Sequence, residues 1–188
     1  MAKKPSNLPY LFTALAALVV IIVAWTGRDR FQTPGPGTAA PPFEVVTLAG
    51  EPVTLDTYRD QVVLLNVWAT WCAPCRYEMP SMQRLYDELE GEDFEIVAIS
   101  VDGRQRGSAG PMGQPAGDPG AFADSLSLTF PILWDPEGRI MRSYRTTGVP
   151  ESFLIGRDGL IYRKVAGATE WDRPEYVEFI RRLLAEEA

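Results

Sequence analysis

The stretch Val62-Val63-Leu64-Leu65-Asn66-Val67-Trp68 carries no charge and is almost continuously apolar. That is the pattern of a β-strand covered on both faces. Four residues later comes Cys72-Ala73-Pro74-Cys75. Beyond it Met79, Met82, Leu85, Tyr86 and Leu89 recur at helical spacing as far as Glu90, with Pro80 inside the run. Phe94 to Val101 is a second strand of the buried kind. Strand, helix and strand in that order imply parallel pairing through a right-handed crossover, in an α/β domain with helices over the sheet.

Cys72 and Cys75 are the only cysteines in 188 residues. A Cys-x-x-Cys where a strand hands over to a helix is the layout of a thiol–disulfide exchange site. The thiolate is the nucleophile in that chemistry, and a helix N-terminus stabilises it with unpaired N–H groups and a partial positive charge. A purely structural bridge is the weaker reading, because so short a loop restrains the unfolded chain little. Cys72 falls where the first helical turn begins and Cys75 one turn in, so the first sulfur is expected exposed and the second covered. Cys72 then exchanges with a partner disulfide, and Cys75 resolves the mixed disulfide. Glu78 lies three residues beyond Cys75 on the same helix face. A carboxylate there pushes a thiol pKa up, whereas Arg76 acts the other way. No histidine or lysine separates the sulfurs, so the balance favours a reductant or mild exchanger over a strong oxidant. On position alone, Glu78 also reads as one more solvated helix charge.

Composition removes other chemistries. There is no histidine, which excludes Ser-His-Asp and Cys-His catalysis and the commonest metal ligand. Two cysteines cannot close a four-ligand structural zinc site. A net charge of −7 argues against nucleic-acid binding, which needs a basic surface. Apolar residues at 46 % and charged residues at 23 % supply an ordinary core without disulfide staples.

The N-terminus stands apart. Lys3 and Lys4 precede an uncharged stretch from Pro5 to Gly27, and its apolar heart, Leu8 to Trp25, has the roughly 17–25 residues of a membrane span. A cleaved signal peptide has a shorter apolar region, about 7–15 residues, and no clean small-x-small cleavage site follows this run. No cysteine follows it directly, which argues against lipid modification. Residues 1–7 are therefore expected in the cytoplasm, as a positive N-terminus prefers. Residues 8–27 are the expected transmembrane anchor of a bacterial inner-membrane protein, 28–42 a Pro/Gly-rich tether, and 43–188 an extracytoplasmic, periplasmic domain where disulfides persist.

Within that domain, Phe43 to Leu48 and Pro52 to Leu55 read as a hairpin about Ala49-Gly50. Residues 103–120 interleave six glycines with Pro111, Pro115 and Pro119 and read as a mobile insertion before a short helix at Ala121 to Leu126. A brief strand at Pro131 to Trp134, a helical turn at Ile140 to Tyr144, and a hairpin of Glu151 to Ile155 with Leu160 to Val165 follow. An amphipathic helix from Arg173 to Glu187 closes the chain. Val149-Pro150, at the entrance of a strand, reads on its own as an ordinary trans proline.

The run Leu65-Asn66-Val67-Trp68-Ala69-Thr70-Trp71-Cys72-Ala73-Pro74-Cys75-Arg76-Tyr77-Glu78-Met79-Pro80 resembles the thioredoxin superfamily, and within it the membrane-tethered TlpA/ResA/CcmG branch. Gly148-Val149-Pro150-Glu151-Ser152-Phe153-Leu154-Ile155 is a second match. The resemblance covers about Pro42 to the C-terminus. It implies a thioredoxin-like sandwich: a central mixed β-sheet flanked by helices, with an added N-terminal β-hairpin. It implies a cis bond at Val149–Pro150 beside the active disulfide, a proton-handling role for Glu78, and an acid at Glu151 after the cis proline. Together with Trp71, which would shield the exposed sulfur, Val149, Pro150 and Glu151 form the implied substrate-binding set. Trp68 would belong to the core. Asn66 replaces the buried aspartate of cytosolic thioredoxins, so proton transfer would not follow their route.

The resulting expectation is a membrane-anchored thiol:disulfide oxidoreductase that reduces disulfides of exported proteins. It would use no cofactor beyond the redox-active Cys72–Cys75 disulfide and no metal. The implied clients are apocytochromes c or a copper-site protein of a respiratory oxidase, and the implied electron source is a membrane thiol donor of the CcdA/DsbD type. Two alternatives stay open: a copper or apocytochrome carrier using the cysteines as ligands, and a disulfide-forming oxidase or isomerase. A peroxidase is disfavoured, because the Pro-x-x-x-Thr-x-x-Cys spacing precedes neither cysteine.

Overall fold

A computed structural model describes residues 8–26 and 33–185. The chain divides into two compact units at Thr33–Pro34. The first contains helix α1, Leu8–Thr26, 19 residues long. Its described side chains, Leu15, Leu18, Val20 and Ile21 among them, are exposed. Among the described residues no helix is long and apolar enough to cross a membrane. In α1 the described side chains are those of 12–13 and 15–22, about half of the ~20 that a span requires. Residues 1–7, 27–32 and 186–188, which hold the expected cytoplasmic segment, the last residue of the expected anchor, the start of the tether and the end of the last helix, lie outside the described residues.

The second unit is built on a seven-stranded mixed sheet. Its strands are β1 (Glu44–Thr47), β2 (Pro52–Thr54), β3 (Val62–Trp68), β4 (Phe94–Ser100), β5 (Ile132–Trp134), β6 (Glu151–Ile155) and β7 (Ile161–Ala166), in the order β2-β1-β5-β4-β3-β6-β7. The uncharged run of β3 takes a central position and every residue of it is buried. It pairs parallel with β4 and antiparallel with β6. The expected hairpin is β1–β2, added antiparallel to β5.

Handedness then places the helices. The links β3–α2–β4 and β4–α3–β5 step the same way across the sheet, so right-handed crossovers put α2 (Ala73–Glu88) and α3 (Pro119–Ser125) on one face. Leu64, Asn66 and Trp68 point to that face by strand alternation. Accordingly Asn66 bonds to Glu78 of α2, and the Trp68 ring meets Phe122 of α3 at 4.8 Å. The C-terminal helix α5 (Pro174–Ala185) joins them, with Arg181 paired to Glu88. The reverse step from β5 to β6 carries α4 (Arg139–Tyr144) over the other face, where Tyr144 packs on Phe153 at 4.9 Å.

Two segments differ from expectation. Residues 34–42, expected as tether, are bound to the sheet: Gly37 and Ala40 donate backbone hydrogen bonds to Ile161 and Gly159, and Ile161 donates to Thr38. Proline and glycine signal irregular backbone but do not say whether a neighbouring strand offers partners. The 103–120 stretch, expected to be mobile, is likewise hydrogen-bonded. Gly107 donates to Ala116, Ala116 to Ser108, and Gly110 to Gln114, and α3 already begins at Pro119, capped by Asp118. Gly117 anchors this stretch by donating to both Thr70 Oγ1 (2.9 Å) and Asp102 Oδ1 (3.0 Å). A Cβ on Gly117 would overlap the Thr70 hydroxyl. The Gly117→Ala variant is expected to lose about 1–3 kcal/mol of stability, read as a lowered denaturant midpoint at unchanged slope.

Candidate active site

Where β3 ends, the chain turns through Ala69-Thr70-Trp71 into α2. A buried acid holds that turn. Asp102, two residues after the end of β4, accepts from Thr70 N (2.8 Å), Thr70 Oγ1 (2.6 Å), Ser100 Oγ (2.8 Å) and Gly117 N. Cys72 then occupies the N-cap of α2, and its sulfur accepts from the Cys75 backbone N–H at 3.1 Å. The pair forms a disulfide with an S–S length of 2.03 Å. Cys72 is 3 % exposed and Cys75 0 %. The order is the expected one, but the expectation of an openly exposed first sulfur is corrected. In the oxidised state Cys72 is nearly covered, because capping turns its sulfur in toward the helix end.

Glu78 is not a solvated charge. It is 1 % exposed, one helical turn beyond Cys75. Its Oε1 accepts from Asn66 Nδ2 at 2.8 Å and its Oε2 from the Thr169 N–H at 3.2 Å. Burial pushes its pKa up to about 7, against the opposing pull of these donors; the Trp171 indole N–H also bears on it without reaching hydrogen-bond geometry. Asn66 also donates to Ser152 Oγ on β6 (2.9 Å), leaving its Oδ1 unpartnered. Rotated by half a turn, the same amide would accept from a protonated Glu78, so Asn66 suits both protonation states.

The remaining expected residues fall as follows. The Val149–Pro150 bond is cis. Val67 pairs with Glu151, which sets Val149 and Pro150 beside the end of β3 that leads to the disulfide. Glu151 itself is covered, with Lys164 Nζ at 2.7 Å and the Thr147 N–H at 3.2 Å. It is the covered half of an ion pair across β6 and β7 whose lysine is partly exposed. Trp71 is half-buried against the core, its indole N–H unpartnered. It forms one wall of a hollow of about 500 Å³ toward α3. Another hollow, of about 340 Å³, sits at the opposite end of the sheet around Gln61 and Gly156, away from the sulfurs.

Asp102, Thr70, Ser152, Thr169 and Trp171 enter the site without having been expected. For Asp102 a signal existed: an acid directly after a buried strand must find donors. Thr169 and Trp171 join Glu78 and Ser81 across about 90 residues, and no local pattern marks such a contact.

A sheet of this order, with a helix-capping Cys-x-x-Cys at the end of its central strand and a cis proline alongside, defines a thioredoxin-like thiol–disulfide oxidoreductase. Residues 36–164 match the AhpC/TSA family, and the chain belongs to it. Among its relatives is thiol-disulfide oxidoreductase ResA of Geobacillus kaustophilus, 31 % identical over 90 % of this chain and 94 % of that protein. ResA of Oceanobacillus iheyensis is 35 % identical over 86 % and 80 %. Among solved structures, the thiol:disulfide interchange protein DsbE of Chlorobium tepidum is 30 % identical, with a TM-score of 0.61 over 81 % of this chain and 95 % of that one.

The raised pKa of Glu78 has a thermodynamic signature. Between pH 4.5, its ordinary value, and about 7 the folded protein keeps a proton that the unfolded chain releases. Stability contributed by this group is therefore lost as pH rises through that window, and the cost is complete above about pH 7. Glu78→Gln is expected to gain up to about 3 kcal/mol on wild type between about pH 4 and about pH 8, measured as the difference of denaturant midpoints. Parallel pH profiles would show the carboxyl to be freely ionised in the fold.

Proposed function

We propose that this protein is a membrane-anchored reductant of disulfides in exported proteins. The observation that carries the reading is Glu78, a covered carboxyl with a pKa of about 7, one turn from the covered cysteine. In the reduced protein the Cys72 thiolate, stabilised by the α2 N-terminus, attacks a client disulfide and expels one client thiolate, which takes up a proton. Cys75 must then lose its own proton inside a dry site. Glu78 accepts it, because a base near neutrality is matched to that transfer. The Cys75 thiolate attacks the mixed disulfide, the second client thiolate leaves and is protonated, and the Cys72–Cys75 bond closes. Two electrons have passed to the client, and a dithiol donor restores them.

The setting follows from the sequence. The apolar run at 8–27 anchors the chain in the bacterial inner membrane with residues 1–7 in the cytoplasm, and the domain works on the periplasmic side. The branch that the chain resembles implies clients that are Cys-x-x-Cys haem sites of apocytochromes c or copper-site cysteines of an oxidase. A CcdA/DsbD-type membrane protein would be the donor. Substrate contact is assigned to Trp71, Val149 and Pro150.

The Cys75→Ser variant, expressed in full length, is expected to accumulate a mixed disulfide with its client through Cys72, seen as a thiol-sensitive band on non-reducing gels and identified by mass spectrometry. Absence of any adduct would remove the resolving role of Cys75. The reduction potential should lie near thioredoxin's, about −270 mV; a value near that of DsbA, about −120 mV, would instead make the protein an oxidant.

A further inference from the structure

The 103–120 insertion builds one wall of a groove that ends at the active-site loop. The hollow of about 500 Å³ is lined by Thr70, Trp71, Arg76, Arg106, Gly117 and Phe122. It shares Arg106, Gly117 and Asp118 with a second hollow of about 360 Å³ that runs on to Trp134. Arg106 thus stands where the two join. The groove lies on the β4 side of the central strand, whereas Val149–Pro150 lies on the β6 side, so the loop bearing Trp71 and Cys72 runs between them.

In a protein of net charge −7, this groove brings two cations together. Seven other arginines stand within ion-pair distance of a carboxylate. Among the described residues Arg76 and Arg106 stand in no such pair, as is also true of Arg142, Arg163 and Arg182, but these two are exposed side by side in the lining of one groove. Arg76 is held over the Phe122 ring, 4.7 Å from its centroid, which leaves its N–H groups for a ligand. The one acid here, Asp118, is engaged as the α3 cap, its Oδ1 accepting from Ala121 N at 3.1 Å. The walls are already in place through the Gly117–Thr70–Asp102 bonds, so little ordering is needed on binding.

We propose that this groove receives an extended, carboxylate-bearing segment flanking the client's cysteines, with Arg106 and Arg76 as the specificity-determining cations. This rests on the reductase reading above and names the chemistry of its client. Guanidinium groups pair with carboxylates through two parallel hydrogen bonds, and such exposed pairs are screened by salt.

The test uses the full-length protein in detergent and two disulfide-closed Cys-x-x-Cys peptides, identical except for flanking Asp or flanking Lys residues. Each reduction rate is divided by the same protein's rate on bis(2-hydroxyethyl) disulfide, which carries no charge. Wild type is expected to prefer the acidic peptide by about fivefold at low ionic strength, with the preference collapsing in about 0.5 M salt. Arg106→Gln should bring the ratio close to one, and Arg76→Gln should lower it as well. Equal normalised rates for the two peptides with wild type would overturn the groove assignment while leaving the reductase reading intact. So would an undiminished preference in Arg106→Gln. If wild type reduces neither peptide nor the small disulfide, the reductase reading falls first and this assignment falls with it.

Discussion

A carboxyl group removed from water needs either partners or a proton, and Glu78 has some of each. Two donors reach it, one from the central strand and one from the segment after β7. Burial outweighs them and the group stays poised near neutrality. The donors that keep this acid tolerable also fix the geometry around the disulfide. Asn66 ties β3 to α2 and to β6 in one residue. Ser81, one turn further along α2, accepts from the Trp171 N–H and so holds the 169–171 segment against the same helix. Helix, two strands and a connecting segment thus converge on a single side chain below the sulfurs.

Asp102 stands on the other side of the active-site loop and makes an instructive contrast. Both acids are covered, yet Asp102 collects four donors from Thr70, Ser100 and Gly117. Its own carbonyl takes the Trp134 indole N–H at 2.8 Å. A carboxylate so fully engaged clamps a turn. Glu78, with fewer donors, keeps a proton within reach. The number of hydrogen bonds offered to each acid separates a structural role from a chemical one in the same active-site region.

How far the sequence could be read depends on the range of the interactions involved. The β3–α2–β4 unit was legible because uncharged strands and a 3.6-residue period are local signals, and Cys72, Cys75 and Glu78 lie within seven residues of one another. The burial of Glu78 was not legible, since its donors sit 12 residues before it and 91 after it. Glu151 shows the opposite failure. Its place after Pro150 pointed toward substrate, but the β6–β7 pairing brings Lys164 onto it, a cross-strand contact that no short motif encodes. In the 34–42 and 103–120 stretches, glycine and proline described the backbone correctly as irregular, while the hydrogen bonds that hold it come from Ile161, Thr70 and Asp102.

The near-complete cover of Cys72 bears on how such a site can choose its partner. A cysteine that is about 3 % exposed in its disulfide-bonded state gives a partner almost nothing to recognise, and attack geometry at sulfur is much the same for every client. Discrimination therefore has to be built into the surfaces beside the sulfur, where binding energy can position the reacting atoms. The chain has two such surfaces, with the Cys72 loop between them. One is the Val149–Pro150 turn, whose backbone could run alongside an extended client whatever its side chains. The other is the insertion groove, where two unpaired arginines can distinguish one side chain from another. A thiol exchanger assembled this way would keep its chemistry constant while its partner preference changes with the insertion, so the least regular part of the sequence would carry the selective information.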